Sequence, residues 1–548
     1  MKGTKKLYMV IATLAMPLAA ISIPVNTPGF VKTFEADGPL SVSTKLSDGR
    51  NVLEIRNDGF TEVVLKATFA DGVKRIDRIG RVKDTSCYTG EFWIGPGEAE
   101  RFFQGDAAES PLPPISKMPL FAWGWPFSVS DALSGRYMEV RECGCNLLIQ
   151  SVKTEEQARK CLDAAVAAGI RLVLHWGEPR KNPQALLPIM DHPGLAAHYL
   201  WDEPNIKKMP EIGAIARNIS SVDHTHPLYM NWFGILEHDL EKWYGTTSYV
   251  EYLETSIKEI KTDLYSLDVY PVYAPRYAKR PFFFRGEDIH LRKNWYQSLE
   301  LVSSLSRREN KPFWAFANVV PLRCHKVWDN PIPTLGHLKL MQYSNLAYGA
   351  QGLQYYSFRP KDDGGMCIDV APLSPDGRRT PMYDRMALAN REFAARAHVF
   401  LGGKVKVVRH TGWKVPQGTT ALAVGDLPPF VKEFDPCGSD LVVSVQENDG
   451  RGIFMVLNRD PIHGASFKAS FKDGTMRVDA SGAESAAHNG MYGLAVGDAE
   501  IFMFNCKGES KWCAKRSSAE LTECKESVPQ GQLVELGLDR KIRYDIAF

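Results

Sequence analysis

From Pro119 to Phe400 the chain alternates short apolar runs with longer stretches whose apolar residues recur three and four apart. The short runs suit strands buried on both faces. The longer spacing suits helices packed on them by one face. Eight runs read as strands: Leu120–Gly124, Asn146–Gln150, Arg171–Trp176, Ala197–Trp201, Leu228–Trp232, Leu264–Tyr270, Phe313–Ala317 and Leu353–Phe358. Helical periodicity lies between several of them, at Glu155–Ala168, Tyr249–Ile260, Trp295–Arg308 and Leu335–Tyr348. A long helix, Met382–Phe400, closes the series. Strand and helix alternating over roughly 280 residues predict a (β/α)8 TIM barrel.

The pattern differs on either side. Asn51–Arg56 and Thr61–Ala67 alternate apolar and polar residues around the turn Asn57-Asp58-Gly59, a sandwich signature. After Gly403 the runs Asp440–Gln446, Gly452–Asn458 and Glu500–Phe504 return to strand character. The expected fold class is therefore α/β: a TIM barrel flanked by N-terminal and C-terminal β-sandwich domains. The expected boundaries are 1–22 for an export signal, 23–115 for the first sandwich, 116–402 for the barrel, and 403–548 for the second sandwich with an irregular tail.

Composition changes this picture little. The chain has 548 residues, 44% hydrophobic and 24% charged, as ordinary globular proteins do. The net charge of +2, without a long basic run or a P-loop, gives no indication of a nucleic-acid partner. Lys2, Lys5 and Lys6 precede the apolar stretch Leu7–Ile23, and Ala19, Ala20 and Ser22 suit cleavage. The expectation is an exported protein (periplasmic, cell-surface or secreted) without a membrane span after signal cleavage; an uncleaved N-terminal anchor is the alternative. Cys143 and Cys145 are too close for an easy bridge, and Cys506, Cys513 and Cys524 are candidates for one disulfide. No cysteine spacing resembles a zinc site, and His175, His198 and the acids form no recognised ligand spacing; no metal and no cofactor are expected.

The candidate chemistry sits where barrel strands end. His198-Tyr-Leu-Trp-Asp-Glu-Pro-Asn205 runs from an apolar strand into Asp202 and Glu203 before Pro204 stops it. The other reading is a helix N-cap opened by Asp-Glu-Pro. The remaining tips carry Trp123 and Trp125; His175, Trp176 and Glu178; Asn231 and Trp232; Asp268 and Tyr270; Trp314 and Asn318; Tyr356, Arg359, Asp362 and Asp363. Aromatic plates beside Asn, Asp and Arg suit a carbohydrate, which presents C–H faces and rims of hydroxyls. Glycosidic cleavage needs an acid for the leaving oxygen and a group that stabilises an oxocarbenium-like centre. On strand six, Leu264, Ser266, Asp268 and Tyr270 alternate with Tyr265, Leu267 and Val269, so Asp268 and Tyr270 are expected to point into the mouth. Asp268 as a structural acceptor is the alternative. The expected catalytic residues are Glu203, Asp268 and Asp202. The expected substrate-binding residues are Trp123, Trp125, His175, Trp176, Trp201, Asn231, Trp232, Tyr270, Trp314, Asn318, Tyr356 and Arg359.

On Leu200–Pro204, Asp268–Pro271, Lys311–Trp314, Tyr348–Tyr356 and Leu373–Tyr383, the barrel resembles glycoside hydrolases of the large retaining (β/α)8 clan that includes β-galactosidases and β-glucanases. The resemblance implies that Glu203 is the acid/base. It also implies a nucleophilic Glu ending strand seven, where this chain has Ala317 and Asn318. The Asn that precedes the acid/base in that clan is Asp202 here. Adjacent Asp and Glu on strand four also resemble the substrate-assisted β-hexosaminidases, in which the sugar's own acetamido oxygen is the nucleophile. Three readings follow: a glycoside hydrolase, with the substrate-assisted mechanism as a variant; a non-catalytic carbohydrate-binding protein on a degenerate barrel; and another hydrolase or lyase on this fold. No nucleophile-elbow pattern supports a Ser or Cys nucleophile.

Overall fold

The structure is a computed structural model. It describes residues 29–506 apart from 48, 108–111, 113, 125–126, 238, 274–288, 325–327, 363–365 and 369. The expected export signal at 1–22, Trp125, Asp363, Cys513, Cys524 and the expected irregular tail after Cys506 lie outside the described residues.

Eight strands form a closed parallel barrel in sequence order. They are β1 (Leu120–Ala122), β2 (Leu147–Val152), β3 (Arg171–Trp176), β4 (Leu195–Asp202), β5 (Leu228–Phe233), β6 (Tyr265–Asp268), β7 (Phe313–Asn318) and β8 (Leu353–Tyr356). The helices between them include α1 (Glu155–Ala168), α2 (Met209–Ser220), α3 (Tyr249–Ile260), α4 (Trp295–Glu309) and α5 (Leu335–Ala347), with α6 (Pro381–Phe400) after β8. Local chemistry sets the ends. Thr154 caps α1 by accepting the Gln157 N–H, and Gly169 at φ +70° takes the left-handed turn that stops it. Helix α2, with Pro210 in its first turn, is not among the helices expected from periodicity. Strand β6 stops two residues earlier than expected, because Val269 and Tyr270 leave the ladder at the mouth.

The barrel interior is polar as well as aromatic. The Tyr229 hydroxyl donates to Gln354 Oε1 (2.5 Å), Gln354 Nε2 donates to Ser266 Oγ (2.8 Å), and Ser266 donates to Asn231 Oδ1 (2.7 Å). Phe121 and Trp314 pack edge-on and tilted around the Tyr229 ring. These residues fill the layer beneath the mouth. A register shift between Tyr199 and Trp201 interrupts the pairing of β4 with β5 and sets Asp202 opposite Asn231. Such a bulge re-aims the side chains beyond it.

The described residues after the barrel form six-stranded and three-stranded antiparallel sheets around Val443, Phe454, Phe467 and Phe502, and belong to the same compact unit as the barrel. The described residues from 29 to 107, with Arg378–Pro381, make a separate compact unit of five-stranded and three-stranded antiparallel sheets. Its core includes Leu53, Ile55, Leu65, Phe92 and Phe102. Cys143 and Cys145 are buried thiols that form no disulfide. Among the described residues no helix is long and apolar enough to cross a membrane.

Candidate active site

The interior relay ends on Asn231. Because Asn231 Oδ1 is occupied by Ser266, its Nδ2 faces the mouth. There it donates to Asp202 Oδ1 (3.0 Å) and to Asp268 Oδ2 (3.1 Å). The Tyr270 hydroxyl donates to the same Asp268 oxygen at 3.1 Å. Asp268 Oδ1 is buried with no hydrogen-bond partner among the described residues. One amide thus holds the acids of β4 and β6 side by side.

Glu203 follows Asp202 with φ +44°, a left-handed backbone that a residue with a Cβ rarely adopts. Its N–H donates to the Asn231 carbonyl at 2.9 Å, which keeps the strained turn on the tip of β5. Strain of this kind concentrates at functional sites. Burial pushes the Glu203 carboxyl well above the usual carboxylate range, and repulsion from Asp268 and Asp202 adds to it. Asp268 is raised to about 8 by burial and by the charge of Asp202, against the hydrogen bonds from Tyr270 and Asn231. Asp202 is raised to about 6 by burial, against the Asn231 bond and the charge of Lys361. Three neighbouring acids in one desolvated place do not all ionise at neutral pH. A carboxyl still protonated there has a proton to give, which is the requirement for a general acid.

Aromatic rings surround the trio. Trp123 lies 5.8 Å from both Phe316 and Tyr356, and Tyr270 lies 6.1 Å from the same two rings. Of these four, Tyr270 is the one with a half-exposed side chain. Phe316 was not among the expected residues; its place between Trp314 and Asn318 on β7 is the alternation that marks it. Lys361, in the segment after β8, was also not expected, and only its effect on Asp202 reveals it.

Several expected residues lie elsewhere. Trp232 faces the helices: its ring stacks on Tyr265 at 4.7 Å and its Nε1 donates to Ser256 of α3 at 2.7 Å. Alternation with inward Asn231 requires this. Trp201 is turned out by the bulge and sits between the cations of Arg180 and Lys208. Trp314 is inside the barrel but one layer too deep, level with Ser266 and 3% exposed. Trp176 is buried at 6% exposure. Arg359 pairs with Asp131 at 3.3 Å and lies over Phe127. Asn318 is fully buried, donates to the Val320 carbonyl and has its Oδ1 unpartnered among the described residues. Glu178 opens a short turn after β3. Asp362 pairs through its backbone with Cys367.

His175 lines a cavity of about 440 Å³ with Phe127, Gln150, Ser151, Lys153 and Gln157. Its Nδ1 lies 3.1 Å from Ser151 Oγ, and burial and the charge of Arg180 depress its pKa to about 4. The imidazole is therefore neutral at physiological pH. None of the three acids lines this cavity.

No family model matches the chain, and no curated protein does. Among solved structures, a GH42 β-galactosidase from G. stearothermophilus is similar at 9% identity and a TM-score of 0.46, covering 71% of this chain and 98% of that one. A β-galactosidase from the psychrophilic Marinomonas ef1 is similar at 13% identity and a TM-score of 0.36, covering 52% of this chain and 62% of that one. An endo-β-1,4-mannanase from Thermotoga petrophila is similar at 9% identity and a TM-score of 0.32, covering 69% of this chain and 97% of that one. The barrel assignment rests on the strand pairing, not on these likenesses.

Proposed function

We propose that this protein is a glycoside hydrolase whose general acid/base is Glu203. The observation that carries the reading is a carboxyl at the tip of β4 whose pKa is pushed upward by desolvation and by the neighbouring Asp268 and Asp202. Protonating a glycosidic oxygen in this setting makes a poor leaving group departable. Ionised Asp202 then stabilises positive charge developing at the anomeric carbon. The half-exposed Tyr270 ring offers a face to the sugar. The reading also takes residues 1–22 as a cleaved export signal, which N-terminal sequencing of the mature protein checks.

The test is a panel of aryl glycosides and glycan mixtures given to the wild type and to Glu203→Gln. A hydrolase loses turnover in the variant. Binding of glycans by both forms, with hydrolysis by neither, identifies a carbohydrate-binding protein instead.

A substrate-assisted variant is favoured by one observation: β7 ends in Asn318, where a direct double displacement needs a carboxylate. The nucleophile is then the acetamido oxygen of the sugar. Asp202 accepts the acetamido N–H and orients the group, and Tyr270 donates to its carbonyl oxygen. This variant hydrolyses 2-acetamido sugars and leaves the matching 2-hydroxy sugars intact. A thiazoline mimic of the cyclic intermediate binds tightly, as a site complementary to the transition state requires. Hydrolysis of plain β-galactosides without thiazoline inhibition rejects it and moves attention to Asp268 as nucleophile or base.

A further inference from the structure

A second group of ligand-type side chains lies away from the acids. His198 stands four residues before Asp202 on β4, about 13 Å along the strand at 3.3 Å per residue. Asp223 and His226 belong to the segment between α2 and β5, and the His198 N–H donates to the Pro227 carbonyl, which draws that segment against β4. His198 Nε2 and His226 Nδ1 each lie 2.8 Å from the same carboxylate oxygen, Asp223 Oδ2. The three ligand atoms all fall within 4.8 Å of one another.

The other carboxylate oxygen is fully engaged. Asp223 Oδ1 accepts from the Thr225 N–H (2.9 Å), the Thr225 hydroxyl (3.0 Å) and the His226 N–H (3.1 Å). These bonds hold the carboxylate so that Oδ2 turns toward both imidazoles. Outer contacts that orient a ligating carboxylate in this way are typical of metal centres. The side chains of His198 and Asp223 are 4% and 1% exposed, while that of His226 is 14% exposed and gives access.

We propose that His198, Asp223 and His226 form a structural site for a borderline divalent cation, zinc above all. Two imidazole nitrogens and one carboxylate oxygen suit zinc, whereas magnesium and calcium prefer all-oxygen shells. Zinc bonds of about 2.0–2.2 Å in tetrahedral geometry separate ligand atoms by roughly 3.3 Å. Each of the two 2.8 Å nitrogen–oxygen spacings opens by about half an ångström to meet that. Each ring moves its proton to the nitrogen facing away from the metal, and water completes the shell. A plain hydrogen-bond knot, in which both rings donate to Asp223, is the competing account.

The test uses the full chain without a histidine tag, stripped with a chelator, exposed to zinc, and freed of excess. Metal analysis is expected to find about one zinc per chain in the wild type and in Glu203→Gln, and none in His226→Gln or Asp223→Asn. Zinc at a hundredfold excess over its Kd is expected to raise the wild-type Tm by ~2–5 °C. Should both site variants fail to fold, cobalt(II) loaded into the wild type decides. Visible bands of a four-coordinate nitrogen and oxygen site support the proposal, and a thiolate charge-transfer band overturns it. It is also overturned by a zinc-free wild type, by zinc retained in a folded His226→Gln, or by zinc lost in Glu203→Gln.

Discussion

In the N-terminal unit Glu100 is 1% exposed, yet its Oε2 lies 2.7 Å from the buried Arg75 guanidinium, and Arg78 reaches its other oxygen. Arg75 is itself packed against the rings of Tyr88 and Phe92. At the barrel mouth Asp268 is half-buried, but its enclosed Oδ1 has no hydrogen-bond partner among the described residues and the other oxygen has only the neutral donors Asn231 and Tyr270. Both regions remove carboxyls from water. The sandwich compensates the charge with a cation. The mouth supplies dipoles and puts two further acids nearby. A buried charge with its counter-ion is held in one state, whereas a buried acid without one remains able to exchange a proton. That contrast separates structural burial from burial that serves chemistry.

The contrast breaks most visibly at Glu203. Glu203→Gln is expected to lower turnover on substrates with poor leaving groups by roughly 10²–10⁴-fold while leaving the folded structure intact. Steady-state kinetics beside circular dichroism check both halves. Wild-type rates in that variant remove Glu203 from the mechanism. The opposite result is expected in the sandwich. Glu100→Gln removes the anionic charge held 2.7 Å from the buried Arg75 guanidinium and is expected to destabilise its unit by about 3–5 kcal/mol. Urea denaturation measures this, and a loss below about 1 kcal/mol, the range of an exposed pair, contradicts the assigned role.

Stability against pH distinguishes the two regions next. Asp268 rises from 3.8 to about 8 on folding, and Glu203 rises as well. Groups raised in this way bind protons more tightly in the folded state. The stability they confer is complete below the unfolded carboxylate pKa and drains away as pH climbs toward about 8. Glu203→Gln removes one of these groups. Its Tm is expected to match the wild type near about pH 4 and to exceed it by ~1–3 °C near about pH 8. An equal Tm at both pH values means that Glu203 is not desolvated.

Much of the barrel is legible in the sequence, because buried strands and one-sided helices leave periods of their own. Arg171–Trp176, Glu155–Ala168 and Tyr249–Ile260 coincide with their elements. The strand tips are less legible. Nothing in the composition marks the bulge at Tyr199 and Trp201 that turns Trp201 outward and sets Asp202 opposite Asn231. Alternation alone does place Trp232 outside, since Asn231 is inside. Depth is hidden: Trp314 has the inward parity but belongs to the Ser266 layer. The amide orientation of Asn231 depends on Tyr229, Gln354 and Ser266 from three different strands, a relation that no local pattern carries. His198 and Asp223 are likewise joined by the fold across 25 positions.

The smallest expected effect tests how finely the mouth is tuned. Tyr270 donates one hydrogen bond to Asp268 Oδ2, and that bond favours the ionised acid. Tyr270→Phe retains the ring beside Phe316 and Tyr356 and removes only the donor. With that donor gone, the Asp268 pKa climbs further. If ionised Asp268 takes part in the reaction, the acidic limb of the kcat/KM profile moves up by ~0.5–1 pH unit, with the plateau rate within about threefold of wild type. If the acetamido group is the nucleophile and Tyr270 donates to its carbonyl, the plateau falls by more than tenfold and the limb stays where Asp202 sets it. An unchanged limb and an unchanged plateau would show that the Tyr270–Asp268 contact has no part in catalysis, leaving Asp202 and Glu203 as the pair to pursue.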